Sequence, residues 1–144
     1  TLSADSTAKG TATVSVNPPP VVVSIGSVNP LNGCATVQLT AMVTGGTGAN
    51  AGVTWSVADA PLPDSHPLGT VSSTGLYTAP DPRPYNQMIV HVRATSVEDP
   101  NASAVIPITT NFKVTGVTVA PASATVATGG TMQFQATVTT SCGT

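Results

Sequence analysis

Val53-Thr54-Trp55-Ser56-Val57, followed after a polar loop by Gly69-Thr70-Val71-Ser72-Ser73-Thr74-Gly75-Leu76-Tyr77-Thr78-Ala79-Pro80, is the stretch that decides the fold. In its first part apolar residues alternate with hydroxyl residues. Val53, Trp55 and Val57 therefore share one face of a strand, while Thr54 and Ser56 face water. Trp55 is the single tryptophan of the chain, and its inward position makes this an inner strand of a β-sandwich. In the second part, Gly69 to Ser72 and Leu76 to Thr78 read as two short strands. Ser73-Thr74-Gly75 joins them, with the glycine able to supply the positive φ that a tight hairpin needs.

The composition agrees with an all-β chain. Of 144 residues only 7% are charged and 3% aromatic, whereas apolar residues reach 40%. Thr, Ser, Val, Ala, Gly and Pro dominate. β-Branched side chains fit a pleated, half-buried surface, and Gly and Pro punctuate turns. Helix is not expected, and the apolar content argues against general disorder. A net charge of −2 with four basic residues cannot neutralise a phosphate backbone, so no nucleic-acid partner is expected. The apolar runs are too short for a membrane-spanning helix. A chain opening on Thr1 is read as processed, trimmed or excerpted.

Working outward from Trp55, the chain repeats itself. Leu2 laid on Ala94 without a gap places Ala12, Val14 and Val16 on Ala104, Ile106 and Ile108. Thr131-Met132-Gln133-Phe134-Gln135-Ala136-Thr137-Val138-Thr139 lies in the same way on Thr36-Val37-Gln38-Leu39-Thr40-Ala41-Met42-Val43-Thr44. A period of roughly 95 residues implies tandem domains. Residues 1–16 are expected to be the last strands of one repeat, 17–20 a proline-rich spacer, 21–110 a complete repeat, 111–116 a second linker, and 117–144 the opening strands of a third. Asn17-Pro18-Pro19-Pro20 should be extended and semi-rigid, and Phe112 could pack across the second junction.

Seven strands are expected in the complete repeat: near Val21–Ile25, at Thr36–Thr44, at Val53–Val57, near Thr70, near Tyr77, at Met88–Thr95 and at Ser103–Ile108. In the second, Val37, Leu39, Ala41 and Val43 point inward. In the sixth, Val90, Val92 and Ala94 do so, which leaves His91 and Arg93 outside. Seven strands with turns at these spacings match a seven-stranded Greek-key sandwich of immunoglobulin-like type. With few Lys and Glu to guard them, its edge strands are open to pairing with another chain.

Five motifs then resemble a known family. They are Val117-Thr118-Val119-Ala120-Pro121, Gly129-Gly130-Thr131-Met132-Gln133-Phe134-Gln135-Ala136, Val53 to Val57, Gly75 to Pro80, and Ala94-Thr95-Ser96-Val97-Glu98-Asp99-Pro100. In their order and spacing they are similar to the tandem bacterial immunoglobulin-like repeats of intimin- and invasin-type adhesins, a similarity that spans nearly the whole chain. The opening of the middle repeat departs from the pattern, lacking the usual proline after its first strand. The resemblance implies an extracellular or cell-surface stalk, adhesin or filament module with Trp55 and Tyr77 as core signature residues. It carries over no catalytic residues.

The family's strand topology gives the two cysteines a relation. Cys34 falls at the turn between the first and second strands of the middle repeat, at the pole facing the next domain. Cys142 follows the second strand of the third repeat, at the pole facing back. An interdomain disulfide fits this arrangement and the oxidising compartment that the family implies. A bond to another chain and two free buried thiols remain open alternatives.

Other polar residues carry less. His66 lies near Asp59 and Asp64, and His91 faces outward, but neither has further ligands at metal spacing. Glu98, Asp99 and Asn101, with Asp5 in the preceding repeat, occupy loops where calcium could bind between domains. Calcium wants about six to eight oxygens, and the facing loops offer almost none, so ordinary polar turns are expected. Asn101-Ala102-Ser103 reads as a glycosylation acceptor pattern. No nucleophile with a base, no carboxylate pair and no phosphate loop is present, so neither catalysis, metal nor cofactor is expected. The expected partners are neighbouring domains of the same chain and other chains of a filament. The alternative function is an accessory carbohydrate- or substrate-binding module of a secreted enzyme, which a surface bearing Tyr85 beside His66 would favour.

Overall fold

Strands account for all the regular structure in the residues that the computed structural model describes, 11–59 and 66–143, and no helix occurs among them. In chain order they are β1 (Val22–Ile25), β2 (Leu31–Asn32), β3 (Thr36–Gln38), β4 (Ala41–Thr44), β5 (Val53–Val57), β6 (Thr70–Val71), β7 (Leu76–Thr78), β8 (Gln87–Ser96), β9 (Ser103–Asn111), β10 (Val114–Ala120) and β11 (Gln135–Thr140). They form four sheets, ordered β2-β9-β8-β5, β3-β7-β6, β1-β4 and β10-β11. Every pairing is antiparallel except β2 on β9.

Strict alternation along β8 explains how the core forms. Met88, Val90, Val92, Ala94 and Ser96 are buried, while Gln87, Ile89 and Arg93 are exposed. From the neighbouring β9, Ile108 joins this face, and Leu39, Tyr77 and Ala79 come from the β3-β7-β6 side. Side chains of the two larger sheets thus meet in one core, an arrangement consistent with a β-sandwich. Fully burying an aliphatic side chain of this size contributes about 1.5–3 kcal/mol, so the contiguous buried cluster, rather than any polar contact, dominates the stability of the sandwich. Trp55 and Val57 pack against that cluster while half-exposed. Pro107, which lacks an N–H, stands where β9 has β8 on one side and has not yet reached the two residues covered by β2, as proline in a sheet requires.

The hairpin is built as its residues dictate. β6 and β7 pair through Val71 and Tyr77, Gly75 N donates to the Ser72 carbonyl (3.0 Å), and Ser72 N donates to the Leu76 carbonyl (2.9 Å). Gly75 has φ of 85°, and a Cβ there would stand 2.9 Å from both the Leu39 carbonyl oxygen and Trp55 Nε1. Its missing side chain therefore serves both the turn and the seating of the tryptophan.

Several expectations are corrected. The strand expected over Thr36–Thr44 is two strands, because its first half pairs with β7 and its second with β1. At the changeover, Leu39 N donates to the Gly75 carbonyl (2.9 Å) and Gly26 N to the Thr40 carbonyl (3.0 Å), so the break leaves these donors satisfied. β2 was not anticipated. Within the segment 111–116, Asn111 still pairs with Gln87 and Val114 already pairs with Thr140, so only Phe112 and Lys113 separate β9 from β10. The last strands expected over 1–16 fall partly outside the described residues. Residues 11–16 form no ladder with a described strand, and Val14 and Val16 are 82% and 85% exposed.

β10 and β11 make a separate two-stranded ribbon whose residues are nearly all exposed. Only its end near Thr139 and Thr140 is sheltered.

Gly75→Ala and Gly48→Ala separate the two duties of the hairpin glycine. Both positions have positive φ, but a Cβ at Gly48 meets nothing within 4 Å. A left-handed backbone costs a side-chain-bearing residue about 1–2 kcal/mol. Gly48→Ala should cost that much in urea unfolding, and Gly75→Ala measurably more because Trp55 must move; equal losses would show that the tryptophan seat does not depend on Gly75.

Candidate functional site

One pole of the sandwich carries the feature with the clearest consequence. The turn Asn32-Gly33-Cys34-Ala35 closes through Ala35 N donating to the Asn32 carbonyl (3.1 Å). Cys34 sits in it with φ of 63°, the sole positive φ among the described residues other than glycine. The turn is anchored on both sides: Gly33 N donates to the Asn111 carbonyl (3.0 Å) and Cys34 N to the Pro80 carbonyl (3.2 Å). A Cβ on Gly33 would collide with the Pro82 ring and approach Cys142 Sγ to 3.2 Å, so only glycine lets the turn lie this close to its neighbours.

Against this turn lies the sheltered end of the ribbon. Cys34 and Cys142 form a disulfide, with Cα atoms 5.3 Å apart and a separation of 108 positions along the chain. Cys142 N donates to Thr140 Oγ1 (3.2 Å), and Ser141 N donates to the Lys113 carbonyl (3.0 Å). The residues around the bond are thus fixed by backbone hydrogen bonds on both sides. A disulfide of this kind is compatible with an oxidising environment.

At the opposite pole the chain enters through Pro19, whose carbonyl accepts from Gly46 N (2.8 Å). Glu98, from the β8–β9 loop, reaches across to the loop after β4, where Thr47 N and Thr47 Oγ1 both donate to Glu98 Oε1 at 2.6 Å. Asp99 Oδ1 accepts from Asn101 N (3.0 Å) and Asn101 Nδ2 (3.2 Å). Ser96 Oγ accepts from Glu98 N (3.1 Å) and Asp99 N (3.2 Å). The loop carboxylates weighed as calcium ligands therefore cap the protein's own donors, and Asp5 lies outside the described residues. Asn101 is exposed at the same loop.

A third feature is a hollow of about 490 Å³ on the outer face of the β2-β9-β8-β5 sheet. Leu68, Tyr85, Met88 and Ile89 line it together with the polar Asp59, Gln87 and His91. His91 N donates to Asp59 Oδ2 (2.6 Å), and its Nδ1 pairs with Asp59 Oδ1 (2.9 Å). Asp59 was expected near His66, but His66 Nε2 instead donates to the Asp81 carbonyl (2.6 Å). Its ring meets Tyr85 edge-on, with centroids 5.6 Å apart. Asp64 lies outside the described residues. Arg83 Nε donates to Asp81 Oδ2 (2.8 Å), and this hydrogen bond holds the Asp81 carboxyl below its ordinary range.

Tyr77 is fully buried, and its hydroxyl donates to the Leu68 carbonyl (3.0 Å). Burial first, and the nearby Asp59 charge second, push this phenol up to about 12. It stays neutral and acts as a structural donor. Three pairings were not anticipated: Asp59 with His91, Glu98 with Thr47, and Gly33 with Pro82. The first two join residues 32 and 51 positions apart, and only the outward face of His91 was foreseeable, from the alternation along β8.

No protein-family model matches the chain, and no curated protein matches it either.

The Glu98 contact has a pH signature. Thr47 donors lower the carboxyl below its ordinary value of 4.5, so its stabilising effect is fully present above that value and is lost as pH falls through the depressed one. The urea midpoint of Glu98→Gln should therefore lie below that of the parent at neutral pH and converge with it as the solution is acidified past 4.5. A gap that stays constant down to acid pH would mean that the two donors do not favour the ionised form.

Proposed function

We propose that this chain is a segment of a tandem array of immunoglobulin-like domains in a bacterial extracellular stalk, adhesin or filament shaft, and that it performs no catalysis. The observation that carries this reading is the Cys34–Cys142 bond, which ties the pole of the sandwich to a ribbon that lies outside its sheets. The use of both cysteines in one bond is what an oxidising compartment permits and what a structural joint requires.

Strand order supports the immunoglobulin-like part. Taking β3 and β4 as one strand that changes partner, one layer runs β1, β3/β4, β7, β6 and the other β2, β9, β8, β5. In that class the first, second, fifth and fourth strands make one sheet and the third, sixth and seventh the other. β1 and β2 then divide the first strand between both layers. The internal repeat supports reading the ribbon as the opening strands of a following domain, with Phe112 and Lys113 as the junction. Met132, Phe134 and Val138 fall on the inward positions of Val37, Leu39 and Val43, and they are 47%, 49% and 46% exposed. Apolar residues so placed call for a facing sheet.

The hollow favours a second reading, an accessory module that binds a neutral saccharide. Tyr85 stands beside His66 and is 42% exposed, and an acid and an amide flank it. The ring planes are nearly perpendicular, at 83°, so the two rings do not form the flat platform on which sugars stack. The mechanical reading is therefore preferred.

Antibody raised against the chain, applied to intact source cells and followed by electron microscopy, tests the choice. Labelling along extended surface structures, with Cys34 and Cys142 joined in non-reducing peptide maps, is the expected result. Label confined to the cell interior with both thiols reduced would overturn the proposal, and saccharide binding abolished by Tyr85→Ala would favour the second reading.

A further inference from the structure

Closing the chain on itself changes the route that tension takes through it. Residues 35–141 lie inside the covalent loop made by the Cys34–Cys142 bond, and that loop contains β3 through β11. Only β1 and β2 lie on the path between the incoming chain and the bond. The geometry points to a load bypass: a pull on the two ends of the chain passes from Cys34 through the disulfide to Cys142 and leaves the body of the sandwich and the ribbon unstretched. Its biological use rests on the mechanical reading above, but the path itself follows from connectivity alone.

The non-covalent part of the path is short and spans the sandwich from pole to pole. The chain enters beside Gly46, which donates to the Pro19 carbonyl. β1 then runs antiparallel to β4, from Val22 opposite Thr44 to Ile25 opposite Ala41. β2 follows, parallel to β9, with Leu31 opposite Thr110 and Asn32 opposite Asn111. Gly33 and Cys34 make the last two backbone hydrogen bonds before the sulfur. Load applied at the ends therefore acts on six ladder residues, four in β1 and two in β2.

When those ladders give way, nothing further can unravel. The covalent bond takes the tension, and the buried core of Tyr77, Val90, Val92 and Ile108 is never pulled apart. The junction residues Phe112 and Lys113 also lie inside the loop, so the short linker bears no tension although it is the shortest connection in sequence between sandwich and ribbon. Tension leaves through the residues after Cys142 and bypasses β10 altogether. The bond thus sets how far this piece of chain can lengthen, a property separate from how stiffly the joint bends.

The lengths are distinct enough to measure. Residues 1–34 fully extended reach about 110–120 Å, at about 3.3–3.6 Å per residue. The stretch of 108 positions from Cys34 to Cys142 would add about 360–390 Å if it could be drawn out. A chain pulled in its oxidised form should show only the first length, however high the force below bond rupture.

Atomic-force pulling on the full chain, held between two reference domains of known contour length, tests the bypass. In oxidised material, with the bond verified by peptide mapping, the chain should contribute no more than about 110–120 Å. In dithiothreitol, which supplies two electrons and two protons to convert the disulfide into two thiols, a further increment of about 360–390 Å should appear. Cys34→Ser combined with Cys142→Ser should give the same added length without reductant, as a force peak if the variant folds and as featureless extension if it does not. The long increment in oxidised, mapped material would overturn the bypass and leave the stalk reading untouched. Failure of surface labelling would remove the stalk reading and leave the measured path as it stands.

Discussion

The close packing of Tyr77 between two sheets is the constraint on which the rest of the structure depends. Its strand lies between β3 and β6, its ring is fully buried among Leu39, Val90, Val92 and Ile108, and its hydroxyl satisfies the Leu68 carbonyl. Fixing Tyr77 fixes the hairpin that carries it, and the hairpin glycine in turn makes room for Trp55. The tryptophan then pairs through its backbone with Ala94 of β8. The buried phenol thus links the hairpin layer to the β8 and β9 layer across the core.

The two poles are held by different chemistry. Where the chain enters, the attachment is one backbone hydrogen bond from Gly46 to Pro19, beside a carboxylate that ties two loops together. At the far pole, a glycine turn, a proline ring and a disulfide lock the ribbon onto the sandwich. A hydrogen bond of the first kind contributes about 0.5–1.5 kcal/mol and opens readily, whereas the second attachment is covalent. For a bond closing about 100 residues the loop-entropy model gives about 4.7 kcal/mol. Because the sandwich already confines most of that loop when folded and builds its core without the ribbon, the larger consequence is mechanical. The two attachments therefore differ in kind, hydrogen-bonded where the chain enters and covalent at the cysteines.

Much of this was legible in the residues because alternation and turn chemistry are local. Val53-Thr54-Trp55-Ser56-Val57, the inward set Val90, Val92 and Ala94, and the Ser73-Thr74-Gly75 turn each announce their role within a few positions. What stayed hidden depends on partners far away. β2 is two residues long and has no period to read. The change of partner at Leu39 and Thr40 leaves the apolar pattern of the strand intact, so nothing in that pattern betrays it. β9 continues through Thr109, Thr110 and Asn111, polar residues that look like the start of a linker until β2 and β8 flank them. The pairing of Cys34 with Cys142 could be framed from the topology of a resembling family, with two alternatives left standing, because spacing alone cannot choose among them. The hollow beside Tyr85 needed three separate segments to meet, and a single strand's pattern could reveal only that Ile89 and His91 face outward.

The central claim is that the bond makes sandwich and ribbon one body. Backbone ¹⁵N NMR relaxation, measured on the same sample before and after reduction, tests it directly. In the oxidised chain the amides of β5, β8 and β9 and those of β10 and β11 should report one common tumbling time; after reduction the ribbon should tumble faster than the sandwich. A ribbon that already tumbles independently while the disulfide is intact would contradict the account.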